Sequence, residues 1–202
     1  MRLTANGVSC VRGGRKLYDR VSFSLTGGEL LLLSGANGAG KTSLLRQVAG
    51  LLPLSGGEIG FEGGDLAEET HFVGHASGIK DTLSVAENLG FWCSLYGSND
   101  AAPADALARL KLTPLAALPA RVLSAGQKRR LALSRLPAIR RAIWLLDEPD
   151  AALDAEGRDT LLSIITEHRA RGGIAIVASH AALTLLPSRE IVLGAVEETA
   201  AA

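Results

Sequence analysis

A chain of 202 residues, with 21 Lys plus Arg against 21 Asp plus Glu, 47% hydrophobic and 4% aromatic content, reads as one compact domain or a core carrying a subdomain; two independent domains do not fit. The formal net charge of zero removes the electrostatic footprint of a general nucleic-acid binder. Cys10 and Cys93 sit in no C-x-x-C pair, so two free thiols in a reducing compartment are expected rather than a zinc site or disulfides. The N-terminal residues carry no export signal, and the longest uncharged stretch, 172–188, falls short of the ~20 apolar residues that span a bilayer. Any membrane role must come through a partner.

In chain order, apolar alternation predicts strands at 8–11 and 21–25, a turn at Gly27-Gly28, and a strand at 30–33. The opening is expected to form a small antiparallel layer. Four leucines without a polar gap at 30–33 suit a strand buried on both faces of a parallel sheet. Residues 41–49 read as a helix with Leu44, Leu45 and Val48 on one face, stopped by Gly50 and Pro53. From about 77 to 136 the pattern turns helical, with segments at 83–96, 104–112 and 125–136 and a loop holding Pro114 and Pro119. Buried strands at 142–146 and 174–178 flank a helix over 155–171, with Leu161, Leu162, Ile164 and Ile165 inward. A short helix is expected within 179–188, then a strand at 191–193 and a tail that frays. The fold class is α/β with an antiparallel layer and an inserted run of helices.

Gly35-Ala36-Asn37-Gly38-Ala39-Gly40-Lys41-Thr42 matches G-x-x-x-x-G-K-[ST] between a predicted strand and a predicted helix, the context a phosphate-binding loop requires. Its glycines let successive N–H groups point at phosphate oxygens, and the helix that starts there adds its positive dipole end. Lys41 is expected to reach the β- and γ-phosphates, Thr42 to hold Mg²⁺ through its hydroxyl, and Ser43 to lie beside the phosphates. ATP and Mg²⁺ are the expected ligands.

The apolar run 143–146 ends in Asp147 and Glu148, which a buried strand delivers to its carboxyl edge. After a phosphate loop, Asp147 suits the Mg²⁺ shell and Glu148 suits a base that deprotonates the attacking water. Guanine selectivity usually needs [NT]-K-x-D, which no lysine here satisfies. Ser124 followed three residues later by Gln127 is a capping box, so at the least it starts a helix. The same serine hydroxyl, the Gly126 amide and a helix N-terminus also form a second anion site, suited to a γ-phosphate presented by another chain.

With these motifs the whole chain resembles the ABC-type ATP-binding subunits. Leu123-Ser124-Ala125-Gly126-Gln127 corresponds to that family's signature motif, with alanine at 125 where glycine is usual. The resemblance implies a P-loop NTPase core of ABC type in a single domain 1–202, with the core at about 1–75 and 137–202 and a helical subdomain at about 76–136. It implies a D-loop at Ala151-Ala152-Leu153-Asp154 and a γ-phosphate contact from His180. It also implies a head-to-tail homodimer in which Lys41, Thr42, Asp147 and Glu148 of one chain face Ser124 and Gly126 of the other.

Two positions depart from the family pattern. Arg12 falls where an aromatic ring usually stacks on adenine, and its guanidinium plane can replace that ring or remain solvated. His75 stands where the family normally has glutamine beside Mg²⁺ and the attacking water; imidazole can donate or accept there. Within the family, the 74–80 segment, Glu87-Asn88-Leu89 and the 123–133 segment resemble the ATP-binding subunits of cytochrome c maturation. That resemblance implies a CcmB-like permease in the bacterial inner membrane, attachment to its cytoplasmic face, a role in haem delivery and no nucleic acid. An ATPase for another exporter, of lipid or drug, and a soluble ABC ATPase acting on nucleic acid are the alternatives.

Overall fold

A computed structural model describes residues 1–75, 78–97, 103–179 and 187–194. The chain begins with β1 (Arg2–Arg12) and β2 (Arg15–Thr26), an antiparallel hairpin turning on Gly13 and Gly14, both at positive φ. β3 (Leu30–Gly35) leads into α1 (Lys41–Val48), then β4 (Gly56–Glu62), the short α2 (Leu66–Glu69) and β5 (Thr70–Val73). The helical run follows: α3 (Val85–Leu95), α4 (Pro103–Arg109), two 3-10 turns at Thr113–Leu115 and Ala120–Val122, α5 (Ala125–Leu133) and α6 (Arg135–Ala138). Then come β6 (Ile143–Asp147), α7 (Ala155–Ala170), β7 (Ile174–Ala178) and β8 (Arg189–Leu193).

Two sheets result: β2-β1-β4, antiparallel, and β5-β6-β7-β3-β8, parallel throughout. β3, β5, β6 and β7 are largely buried on both faces, whereas the edge strand β8 exposes Arg189, Glu190 and Val192, and the period of two sorts the buried side chains between two cores. Leu31, Leu33, Ile143, Leu145, Ile174 and Ile176 pack toward α1 and the antiparallel sheet. Leu30, Leu146, Ala175 and Val177 pack toward the helices on the other side. Each fully buried leucine contributes roughly 1.5–3 kcal/mol relative to exposure, so these strands supply much of the driving force.

The predicted helix 125–136 divides at Ser134. Pro137 removes an N–H and crowds the turn before it, which ends α5 and leaves a single further turn as α6. β4 and β5 were not expected as strands: β4 carries Gly56, Gly57 and Gly60, and β5 has only four residues, too short to display a period. Of the residues expected inward on α7, Leu162 is half-buried while Leu161, Ile164 and Ile165 are buried. Cys10 and Cys93 are buried free thiols, as expected. The short helix within 179–188 and the fraying tail lie largely outside the described residues. Among those described, no helix is long and apolar enough to cross a membrane.

Candidate functional site

Because all five strands of the larger sheet run parallel, their carboxyl ends share one edge. The phosphate loop leaves β3 there, Gly74 and His75 leave β5, and Asp147 with Glu148 leaves β6. Gly35 has φ 126°, and a Cβ on it would lie 2.0 Å from the Leu193 carbonyl oxygen, so only glycine fits where β8 presses against the loop. Gly40, at φ 103°, caps α1 and faces the ring of Tyr18 at 2.8 Å from where a Cβ would stand. Tyr18 is itself buried, its hydroxyl donating to Gln47 Oε1 at 2.7 Å, and Gln47 Nε2 donates to the carbonyls of Ser9 and Pro53. The antiparallel sheet thus fixes the loop from behind, while Asn37 and Gly38 stay exposed at its crest.

Lys41 opens α1 and is nearly buried; its ammonium donates to the carbonyls of Gly35 at 2.7 Å and Ala36 at 3.1 Å, which folds the loop around it. No acidic residue stands in the first turn of α1, so the positive end of the helix is left for an anion. Ala39 and Ser43 flank this end, both half-buried.

Thr42 Oγ1 donates to Asp147, 3.1 Å from Oδ1 and 2.9 Å from Oδ2, with Asp147 buried at the end of β6. One hydroxyl and one carboxylate thus converge beside the phosphate loop. Mg²⁺ prefers one or two protein oxygens plus substrate phosphates and water, so these residues fit a metal that arrives with a nucleotide. Among the described residues no cluster of three or more His, Cys, Asp or Glu forms a resident metal cage. Glu148 follows at φ 48°, an uncommon left-handed conformation for a residue with a side chain; its N–H donates to Ala178 O at 2.8 Å.

The 123–127 motif occupies the start of α5. Ser124 Oγ accepts from Gln127 N at 3.2 Å and Gln127 Oε1 accepts from Ser124 N at 2.9 Å, a complete capping box. Gly126 lies so near the Ala152 carbonyl that a Cβ would approach it to 2.9 Å. Arg130 Nη2 binds both carboxyl oxygens of Asp154, at 2.6 and 2.8 Å, and Asp154 in turn caps α7 by accepting from Gly157 N. Those contacts, the Arg130 bond foremost, hold the Asp154 carboxyl below the usual range. The 123–127 motif and the 151–154 loop are therefore packed together. Among the described residues no hydrogen bond joins the Ser124 group to Lys41 or Thr42 within the chain.

Arg12 is exposed at the hairpin tip and His75 is exposed after β5; His180 lies outside the described residues. Sequence reasoning missed the structural part of three side chains, Asn88 being noted only within a resembling segment. Tyr18 backs the phosphate loop, and Asn88, buried on α3, bonds the main chain of Lys80, Leu83 and Ser84, so it shapes the segment after His75. Arg129 bonds four carbonyls around the acidic strand end. In the sequence it is the middle of Lys128-Arg129-Arg130, a pattern that resembles a solvated helix face.

The fold and this edge define a P-loop ATPase of ABC type, and residues 18–151 match the family model described as ABC transporter. The chain belongs to the ABC transporter family, as an ATP-binding, ATP-hydrolysing subunit. Its relatives include proteins described as "Cytochrome c biogenesis ATP-binding export protein CcmA". The one from Rhodopseudomonas palustris strain BisB18 is 50% identical, covering 96% of this chain and 98% of the relative. That from Bradyrhizobium diazoefficiens is 47% identical over 97% and 100% of the two chains. Among solved structures, an ABC transporter ATP-binding protein of Pyrococcus furiosus superposes with a TM-score of 0.84 at 26% identity, covering 96% of this chain and 98% of that one.

Proposed function

We propose that this chain is the ATPase of a cytochrome c maturation exporter, acting as a head-to-tail homodimer beneath a CcmB-like permease on the cytoplasmic face of the bacterial inner membrane. The observation that carries the reading is its 46–50% identity to CcmA proteins of several bacteria, spread over nearly the full length of both partners. The helical segment at about 76–136 is read as the subdomain that meets the permease.

In this reading the loop amides and Lys41 hold the β- and γ-phosphates, with Asn37, Gly38, Ala39, Gly40 and Ser43 around them. Thr42 and Asp147 hold Mg²⁺, which when bound neutralises phosphate charge and orients the terminal phosphoryl group. Glu148 takes a proton from water as the water oxygen bonds to the γ-phosphorus. The bond from that phosphorus to the β–γ bridging oxygen breaks, and ADP leaves with the electron pair. His75 and His180 polarise water and γ-phosphate. Ser124, Gly126 and Gln127 of the second chain close over the nucleotide, and Asp154 keeps their helix in register with α7. Arg12 stacks on the base.

Because the serine of one chain completes the site of the other, ATP acts as a ligand of the closed dimer. Shifting an equilibrium from 1:99 to 99:1 takes ~5.5 kcal/mol, within reach of several charge-assisted phosphate contacts. Removal of the γ-phosphate ends those contacts and reopens the pair.

Deletion of the gene, followed by staining of periplasmic cytochromes for covalent haem, tests the assignment: lost staining, restored by the wild-type chain and not by Glu148→Gln, is expected. Normal staining after deletion overturns it. On a sizing column Glu148→Gln with MgATP is expected to run as a dimer, since the base is lost while the phosphate contacts remain.

A further inference from the structure

Glu148 has to aim a carboxylate from a backbone that side chains rarely adopt. Its φ of 48° is a conformation that persists only when surrounding contacts over-determine it. Its N–H is anchored to Ala178 O at 2.8 Å. Its carbonyl accepts from Arg129 Nη2 at 2.7 Å, and the same nitrogen donates to Asp147 O at 2.9 Å. Arg129 Nε donates to Pro149 O at 3.1 Å. Three consecutive carbonyls of the acidic strand end are thus gripped by one side chain.

The remaining contact points elsewhere. Arg129 Nη1 donates at 2.9 Å to the carbonyl of Gly74, the residue before His75. Arg129 belongs to α5, the helix that Ser124 caps. Its guanidinium is buried, and four of its five donor positions are used on main-chain oxygens. Burial pulls the pKa of Arg129 below its ordinary value, while the carboxylates of Asp147, Asp150 and Glu148 oppose that shift. A lysine could place a charge there, but three donors on a single nitrogen cannot span carbonyls on both β5 and β6 exits.

Resting on the ATPase reading above, we infer that Arg129 is a positioning residue for hydrolysis, its guanidinium fork holding Glu148 in its left-handed conformation and tying it to the Gly74–His75 loop and to the signature helix. Any displacement of the signature helix, or of the loop after β5, is then transmitted to the base without passing through the nucleotide.

The test compares full-length wild type and Arg129→Lys for kcat, KM for ATP, metal-free ATP affinity and melting temperature, alone and in a Glu148→Gln background. Misplacement of a reacting group by about 1 Å costs on the order of 10²-fold. The expectation is a kcat loss of at least ~10-fold with ATP affinity held within about threefold. In the Glu148→Gln background Arg129→Lys should remove no further activity, because both changes act through one group. Unchanged kcat, equal losses of kcat and ATP affinity, or additive losses in the double variant would overturn the inference. Should Arg129→Lys not fold, Arg129→Gln, whose amide still reaches one or two of the carbonyls, undergoes the same measurements with the same deciding outcomes. The two readings fail separately: an inactive Glu148→Gln beside a fully active Arg129 variant removes only this inference, whereas a fully active Glu148→Gln removes both.

Discussion

The hydroxyl of Thr42 and the carboxylate of Asp147 meet at 2.9 Å although 105 positions separate them, joining the first residues of α1 to the end of β6. Such a pair suits an Mg²⁺ ion that arrives with phosphates. Asp147→Asn is therefore expected to bind ATP in the presence of chelator within about threefold of wild type, while Mg²⁺-dependent hydrolysis drops by roughly 10²-fold or more. Titrating Mg²⁺ against the hydrolysis rate checks it; a wild-type Mg²⁺ curve would remove Asp147 from the metal site.

Gly40 links the antiparallel sheet to nucleotide binding. Alanine there would have to hold φ 103° and displace a Tyr18 ring that is itself buried and bonded to Gln47. Backbone strain of this kind costs about 1–3 kcal/mol. Gly40→Ala should lower the melting temperature and weaken ATP binding together, read by thermal unfolding and nucleotide titration. Tyr18→Ala, combined with it, should recover part of the binding by clearing the ring; if it recovers none, the contact is not what constrains the loop.

Two buried histidines set an acid limit on stability. Burial, with Arg135 and Arg141 nearby, lowers the pKa of His71 to about 3; burial lowers that of His168, stacked on Trp144, to about 4. Both values lie below the ~6.5 of an unfolded histidine, so between these limits the unfolded chain binds more protons. The stabilisation is complete above about pH 6.5 and is lost as pH falls toward 4 and then 3, at up to ~1.4 kcal/mol per pH unit for each ring. His71→Phe keeps the stack on Tyr96 and removes one titrating group, as well as two ring nitrogens that are buried without a hydrogen-bond partner among the described residues. Urea unfolding at pH 5, 6 and 7 should show a shallower pH slope for the variant than for wild type; parallel slopes would exclude His71 as a source.

His75 is exposed and follows the Gly74 carbonyl that Arg129 holds; as the group proposed to polarise water, it should matter more to hydrolysis than to binding. His75→Ala should lower hydrolysis by roughly 10–10²-fold while nucleotide affinity changes little. Equal loss in single-turnover and binding measurements would assign it a structural part instead.

Much of the candidate site was legible because its signals are local. The phosphate loop is eight consecutive residues between a strand and a helix, and Asp147-Glu148 follows an uninterrupted apolar run. The capping box at Ser124 reads at a spacing of three and forms as read. What escaped is long-range. Nothing near Arg129 reveals that it bonds carbonyls at 74, 147, 148 and 149, since its neighbours are Lys128 and Arg130 and its partners are main-chain atoms with no residue identity. Tyr18 was invisible for the same reason: only closure of the antiparallel sheet over α1 brings it to Gly40. β5 was missed because its burial is dictated by β6 beside it, not by its own period.

Ser124 has one observed part, as a helix cap, and one proposed part, at the nucleotide, and substitution can separate them. Its hydroxyl caps α5 by accepting from Gln127 N at 3.2 Å, which as a cap is worth ~1 kcal/mol, and it is also the group proposed to touch the partner chain's γ-phosphate. Ser124→Ala removes both, so a loss of stability and of activity there is ambiguous. Asparagine is as good an N-cap as serine but is larger and presents an amide where the hydroxyl stood. Ser124→Asn is therefore expected to melt close to wild type and yet to lose at least ~10-fold in hydrolysis and the ATP-driven dimer seen in the Glu148→Gln background. Thermal unfolding read beside sizing chromatography with MgATP decides between them: a stable Ser124→Asn that still dimerises and hydrolyses would leave Ser124 a helix cap and nothing more, and the second wall of the nucleotide site would have to be sought elsewhere on the chain.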